Sequence, residues 1–259
     1  MELHDRVAVV TGGSGGIGKA MAAAFLEQGA RAVVLADLDE AAVSAAAAEL
    51  GCDAMLCDVT DEAQIERLVE WTLDKHGPID LFCSNAGAGA AGVLTDAPNE
   101  SWQMQWDLHV MAHVYAARAV LPSMIARGEG YLLNTASAAG LLAAIGSGPY
   151  SVTKAAAVKL AEFLSITHGD DGIKVSVLCP QGVNTAMAPA SLGDGQTDGI
   201  IEADELAAVV VETLREERFY VLPHPEVEEY VRRKGDDIDR WLGGMRRLRR
   251  RALDVADEG

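Results

Sequence analysis

Tyr150 and Lys154 stand four residues apart in a segment rich in helix formers, so both project from one helix face. A phenol beside an ammonium can exchange a proton with an alcohol or carbonyl, because the cation favours the phenolate and lowers the tyrosine pKa. Ser137 adds a hydroxyl on the turn after the apolar run Tyr131-Leu132-Leu133. That places it at the carboxyl end of a central strand, where open α/β sheets hold ligands. Each feature also has a plain reading: a surface pair, and a serine that caps a turn.

The other chemical feature is the run Thr11-Gly12-Gly13-Ser14-Gly15-Gly16-Ile17-Gly18. Val7-Ala8-Val9-Val10 precedes it as a β-prone run, and Ala20, Met21, Ala24 and Phe25 follow at helical spacing. Glycines let a backbone turn sharply and approach a pyrophosphate, and a helix N-terminus offers free N–H groups and a positive dipole end. A dinucleotide site is therefore expected over Gly12, Ser14, Gly15, Gly16, Ile17 and Gly18. A second strand, Ala32-Val33-Val34-Leu35, leads to Asp37 and Leu38. A carboxylate about 20 residues past such glycines is placed to meet a ribose 2′-hydroxyl.

These groups need a scaffold that brings strand ends together. Strands are predicted at about 6–11, 31–36, 54–57, 80–84, 131–135, 174–179 and 218–222. Helices are predicted at about 17–28, 39–50, 61–76, 100–127, 150–168 and 203–215. The alternation argues an α/β fold: a Rossmann-type, doubly wound parallel sheet in a three-layer α/β/α domain. Continuous apolar strands such as Val175-Ser176-Val177-Leu178 fit a sheet buried on both faces. The binding and catalytic domain is expected over 1–225, with a C-terminal helical extension at 226–259. Residues 186–202, with four Gly or Pro, read as a long loop of the kind that often forms a lid.

A chain of 259 residues that is 49% hydrophobic can bury a sizeable core and is not disordered. Its net charge of −18 repels nucleic-acid phosphates and anionic membranes. Residues 226–259 hold nine Lys/Arg and nine Asp/Glu, so all of the excess acid lies in 1–225. The run Arg246-Arg247-Leu248-Arg249-Arg250-Arg251 is thus read as a charged helix packing on the body or on a neighbouring subunit, not as a nucleic-acid site. No apolar run is long enough to span a membrane. Met1-Glu2-Leu3-His4-Asp5 lacks the regions of a signal peptide, so a cytoplasmic protein is expected. Cys52, Cys57, Cys83 and Cys179 form no CxxC pair and read as small hydrophobes, not as a disulfide or zinc site.

Taken in order, these residues resemble the short-chain dehydrogenase/reductase superfamily, in its single-domain branch of roughly 250 residues. The resemblance runs from residue 3 to about 222. Thr11-Gly12, Gly16 and Gly18 match the cofactor turn, Asp58-Val59 the acid that meets the adenine, and Asn85-Ala86-Gly87 the run after the fourth strand. Ser137, Tyr150 and Lys154 match the catalytic set. Pro180-Gln181-Gly182-Val183 through Thr185 matches the segment that holds the nicotinamide carboxamide. The resemblance implies that Tyr150 is the general acid/base and that Ser137 binds the substrate oxygen. It implies that Lys154 holds the nicotinamide ribose and lowers the Tyr150 pKa. It also implies that the helices at 100–127 and 150–168 pair across a two-fold axis in a homotetramer or homodimer.

Two residues depart from the pattern. His109, thirteen residues before Pro122, stands where the family usually has a proton-relay asparagine. It is either a relay member able to change charge near neutral pH, or a structural helix residue. Its i, i+4 partner His113 brings no third ligand, so a metal site is not expected. Gln181 replaces the glycine after Pro180, and either donates a hydrogen bond to a substrate or caps a loop.

Asp37 would accept from a free ribose hydroxyl and repel a 2′-phosphate, while Gly15 and Leu38 occupy the places where a basic residue would stand. NAD is the expected cofactor, with Lys19 the one basic residue close by. The apolar residues Gly89 to Leu94, Leu141-Leu142 and Ala186-Met187-Ala188 are expected to border a pocket for a hydrophobic secondary alcohol or its ketone. The alternatives are an NADP-dependent ketone or 3-oxoacyl reductase of the same family, and a non-catalytic dinucleotide sensor.

Overall fold

A computed structural model describes residues 1–89, 92–185 and 198–257, with side chains through Leu253. Short apolar runs form the strands β1 (Val7–Thr11), β2 (Ala32–Asp37), β3 (Asp53–Leu56), β4 (Leu81–Ser84), β5 (Gly130–Thr135), β6 (Ile173–Leu178) and the edge pair β9 (Tyr220–Val221). Among the described residues these seven form one sheet in the order β3-β2-β1-β4-β5-β6-β9, and every pairing is parallel. The strand order reverses between β1 and β4. Their carboxyl ends therefore open a crevice, the place where such sheets bind ligands. The chain has the Rossmann-type α/β fold that its pattern predicts.

Helices cover both faces, which is why β1, β4 and β5 are buried along their whole length. On one side lie α1 (Gly16–Glu27), α2 (Glu40–Leu50) and α8 (Ala203–Glu216), packing Met21, Phe25, Val43, Leu206 and Val210 on the sheet. On the other lie α3 (Glu62–His76), α5 (Ala112–Arg127) and α7 (Gly148–His168), packing Ile65, Leu68, Val120, Ala157 and Leu164. Local chemistry sets where these helices begin. Asp39 caps α2 through the Ala42 amide, Asp61 caps α3 through the Ala63 amide, and Ser147 caps α7 ahead of Pro149. Such caps are worth about 1 kcal/mol each.

Three local features differ from the expected pattern. The helix predicted over 100–127 is α4 (Asn99–Trp106), then a π turn at Asp107–Met111, then α5. A π turn inserts a residue without ending the helix, and a 3.6-residue periodicity carries no sign of it. Its effect is to bury His109 and Val110. A five-residue helix, α6 (Ala138–Leu142), follows Ser137. The segment read as a long loop contains β8 (Ile200–Ile201), which pairs in parallel with β7 (Gly182–Val183). The remainder of that loop, 186–197, lies outside the described residues, as do Ala90 and Ala91.

The extension is helical, as its charge pattern predicts, and forms α9 (Glu226–Asp236) and α10 (Ile238–Asp257). His224 and Val227, where it leaves the body, are buried. α10 packs on α9, with the Tyr230 and Trp241 rings 6.3 Å apart. All four cysteines are free, and burial pushes the Cys57 and Cys179 thiols up to about 12.

Candidate active site

The crevice is built first by its glycines. Gly12 has φ +65°, and a Cβ there would sit 2.9 Å from the Ala86 backbone. A Cβ at Gly18 would lie 2.2 Å from the Gly12 carbonyl oxygen, so the turn closes only with hydrogen at that position. α1 starts from Gly15 with no side-chain cap and no acidic residue in its first turn, unlike α2 and α3. Its N-terminal amides and dipole are thus left for an anion, and this chain fits a dinucleotide pyrophosphate there. A Cβ at Gly16 would meet the Thr185 methyl at 2.7 Å, which brings the Pro180–Thr185 segment across from the glycine turn.

Asp37 stands at the end of β2. Its Oδ2 accepts from the Ser14 amide at 3.1 Å and the Ser14 hydroxyl at 2.6 Å, and its Oδ1 accepts only a 3.3 Å bond from the Asp39 amide. Ser14 therefore orients the carboxylate, and one oxygen remains for a ribose. Leu38 is 70% exposed beside it. Lys19 is engaged with Glu49 at 2.6 Å. Further along, Asp58 Oδ1 accepts from the Thr60 amide and hydroxyl, and Val59 is buried at the crevice floor.

Asn85 ties the strand ends together. Its amide N–H donates to Thr11 Oγ1 and its side-chain Nδ2 donates to the Thr11 carbonyl at 3.0 Å. Its Oδ1 accepts from Thr135 Oγ1 at 3.0 Å. Ala86 N–H shares the Thr11 hydroxyl.

The catalytic set assembles beside this tie. Ser137 is the N-cap of α6, buried, with its Oγ accepting from the Ala139 amide and donating to the Pro180 carbonyl at 3.4 Å. The same hydroxyl stands near enough to the Tyr150 phenol to act on its pKa. Lys154 is 3% exposed, donates to the Thr135 carbonyl at 2.9 Å, and lies 5.7 Å from the centre of the Tyr150 ring. Burial brings the Lys154 pKa down to about 7. Burial also raises the Tyr150 phenol, with the Ser137 hydrogen bond acting against it. The Tyr150 phenol is thus raised where a nearby ammonium was expected to lower it, because burial disfavours the phenolate and also weakens the Lys154 cation.

His109 is fully buried and faces this group, not solvent. Its Nε2 accepts from the Ala88 amide at 3.2 Å, so the proton is on Nδ1, which lies 3.1 Å from Thr153 Oγ1. The ring meets Tyr150 edge to face, with centroids 5.4 Å apart. A Cβ on Gly87 would sit 3.4 Å from His109 Nε2 and 3.5 Å from Lys154 Nζ, which places Gly87 between the two side chains. Burial, then Lys154, then His113 hold the His109 pKa far below its ordinary value. The expectation that it changes charge near neutral pH is therefore corrected: both nitrogens are engaged and the ring stays neutral. His113 is also buried, its ring nitrogens without a protein partner, beside a cavity of about 10 Å³ lined by Thr11, Ser84 and Ala86.

Of the two roles expected for Gln181, the contacts seen are those that hold a loop. Its Nε2 donates to Asp198 Oδ2 at 2.9 Å, and its backbone amide donates to His224 Nδ1 at 3.2 Å. One of the two side-chain N–H groups is thus engaged inside the protein. Asp198, His224, Tyr230 and Thr153 are the residues that sequence reasoning missed, because no local pattern marks them. Leu94 is exposed, and Leu141 and Leu142 close the short helix that Ser137 caps. Ala186-Met187-Ala188 lie outside the described residues.

This fold and this site define a dinucleotide-dependent oxidoreductase, and the chain belongs to the short-chain dehydrogenase/reductase family. The family model for short chain dehydrogenases matches residues 6–194. The 1-deoxy-11-beta-hydroxypentalenate dehydrogenase of Streptomyces exfoliatus is 36% identical over 255 residues, which cover 93% of this chain and 91% of that protein. The meso-2,3-butanediol dehydrogenase of Serratia marcescens is 32% identical, over 81% of this chain and 87% of that one. Among solved structures, a short-chain dehydrogenase/reductase from Burkholderia phymatum in complex with NAD superposes with a TM-score of 0.84 at 30% identity, covering 92% of this chain and 96% of that chain. The protein is accordingly a nicotinamide-dinucleotide enzyme acting on CH–OH groups.

The buried amine makes a stability prediction. The folded chain releases the Lys154 proton near pH 7, whereas the unfolded chain holds it to about 10.5. Between these values the unfolded state binds more protons, so the Lys154 contribution to stability rises with pH. In urea unfolding without cofactor, wild type should gain on Lys154→Met by on the order of 1–2 kcal/mol from about pH 7 to about pH 8.5. A difference that stays flat would show that the amine remains an ammonium in the fold.

Proposed function

We propose that this enzyme oxidises a hydrophobic secondary alcohol to its ketone with NAD, and that Tyr150 is the general acid/base. The observation that carries the reading is the buried Lys154, 5.7 Å from the centre of the Tyr150 ring, with the Ser137 hydroxyl near enough to act on the phenol. Two hydroxyls converging at one point can hold a single substrate oxygen. Ser137 is anchored by Pro180 and Ala139, so it orients that oxygen without moving. Tyr150 then takes the alcohol proton, and Lys154, 5.7 Å from the centre of its ring, would favour the phenolate whenever the amine is protonated. When bound, the nicotinamide accepts the hydride. His109 braces the Tyr150 ring and, through Thr153, the first turn of α7. It acts as a neutral positioning residue. The relatives named for a hydroxypentalenate and a butanediol support an alcohol substrate. The apolar Leu94, Leu141 and Leu142 support a hydrophobic one.

NAD over NADP rests on charge at the end of β2. Asp37, Asp39 and Glu40 cluster there, Leu38 supplies no cation, and Lys19 is tied to Glu49. A 2′-phosphate would meet three carboxylates. The enzyme is also read as a homodimer or homotetramer. Val152, Phe163 and Ile166 are exposed on α7, and Met104 and Trp106 on α4, a surface suited to a second copy; light scattering showing a single chain would exclude this. Free cysteines fit a reducing compartment such as the cytoplasm.

A panel of secondary alcohols with NAD, followed by the absorbance of reduced nicotinamide, tests the activity. On the best substrate, Tyr150→Phe should lower turnover on the order of a hundredfold or more while leaving NAD affinity nearly unchanged. Substantial residual turnover would assign the proton transfer elsewhere. In the same assay His109→Asn should keep most activity, because an amide also offers one acceptor and one donor. His109→Ala should lose roughly tenfold. The pH–rate profiles of wild type and His109→Asn should superimpose, since the ring does not titrate. An ionisation missing only from the Asn variant would contradict a neutral ring.

Cofactor choice has its own test. Asp37→Ala with Leu38→Arg should weaken NAD and improve NADP, each by about 1–3 kcal/mol. Unchanged affinities for both would remove Asp37 from the ribose site.

A further inference from the structure

We infer that Asp198 is a positioning residue that latches the C-terminal helix α9 to the Pro180–Gln181 turn, so that α9 tightens when the dinucleotide site is filled. The carboxylate serves both sides. Its Oδ2 accepts from Gln181 Nε2 at 2.9 Å, and its Oδ1 accepts from the Tyr230 hydroxyl of α9 at 2.8 Å. Gln181 is held a second time through its backbone, by His224 immediately before α9. The Pro180 carbonyl is meanwhile clamped from the catalytic side by Ser137 Oγ and the Ala138 amide. The turn therefore sits between the catalytic serine and the extension, with polar contacts to each.

α9 grips the site at a second point. Lys234 Nζ donates to the carbonyl of Leu141, within the helix that Ser137 caps. One helix thus contacts both flanks of Ser137: α6 on one side, and the 180–181 turn on the other. Val227 anchors it in the core. An appendage that merely covered the surface would not need a shared carboxylate. This arrangement instead makes the extension part of the wall that sets where the Pro180–Thr185 segment lies.

The inference rests on the reading that Pro180–Thr185 contacts the nicotinamide, and the experiment separates the two. Hydrogen exchange is followed in the full-length protein with and without saturating NADH, or NADPH if wild type binds only that. Cofactor should slow exchange in the glycine turn 12–18, in 180–185, and in α9, by at least about threefold in each. In Asp198→Ala the α9 response should vanish while the glycine turn stays protected. Tyr230→Phe, a milder change, should remove most of the same response. Asp198→Asn should keep it. The Asn oxygen still accepts from Tyr230, and its amide can donate to Gln181 Oε1, which has no partner in the wild type. Adding Tyr230→Phe to Asp198→Ala should weaken cofactor binding no further than Asp198→Ala alone, because both break one chain of contacts.

A merely structural role would lower stability without erasing the α9 response. Protection of 180–185 with no response in α9, or an α9 response that survives in Asp198→Ala, would overturn the latch and leave the reading of 180–185 standing. No protection of 180–185 would overturn that reading and the latch with it.

Discussion

The side-chain amide of Asn85 joins the two halves of this enzyme. Its Nδ2 holds the Thr11 carbonyl, where the glycine turn begins, and its Oδ1 holds the Thr135 hydroxyl, two residues before Ser137. The Thr135 carbonyl in turn receives Lys154. A continuous set of hydrogen bonds therefore runs from the dinucleotide turn to the catalytic amine across the ends of β1, β4 and β5. Strands in a twisted parallel sheet can shift and splay at their ends. A half-buried amide that uses both a donor and its acceptor opposes such a shift, because either group would lose its partner.

Space behind that tie is set by a glycine and a π turn. Gly12 allows Ala86 to approach the first turn. The π turn at Asp107–Met111 rotates His109 inward far enough to reach the Ala88 amide, and the ring then braces Tyr150. An ordinary helical turn would continue the 3.6-residue repeat past this point. The inserted residue is what sets His109 on the side of the site. Two lone pairs or protons on the ring and two protein partners leave nothing to titrate.

Charge is divided along the chain. The body carries all of the excess negative charge, and the extension is neutral overall but places Arg246, Arg247 and Arg249–Arg251 on an exposed helix. Among the described residues, the extension joins the body through polar contacts to Asp198 and Leu141 and through the buried Val227. The basic run therefore remains at the surface while the first helix of the extension is built into the site.

What the amino-acid sequence alone determined is the scaffold and which side chains stand as candidates for the chemistry. Apolar β-prone runs, Asp39, Asp61 and Ser147 at helix starts, and the glycine turn before α1 are local signals, since each acts on backbone within a few residues. The ordered Ser137, Tyr150 and Lys154 could be read the same way. Tertiary structure decided what those groups are like. Whether Lys154 is a strong or a weakened cation depends on how fully it is desolvated by strands and helices remote in sequence. Whether His109 titrates depends on its burial and on Lys154 and His113, and where Gln181 points depends on Asp198 and His224. Partners and burial are set by packing between distant segments, and no spacing of residue types along the chain records them.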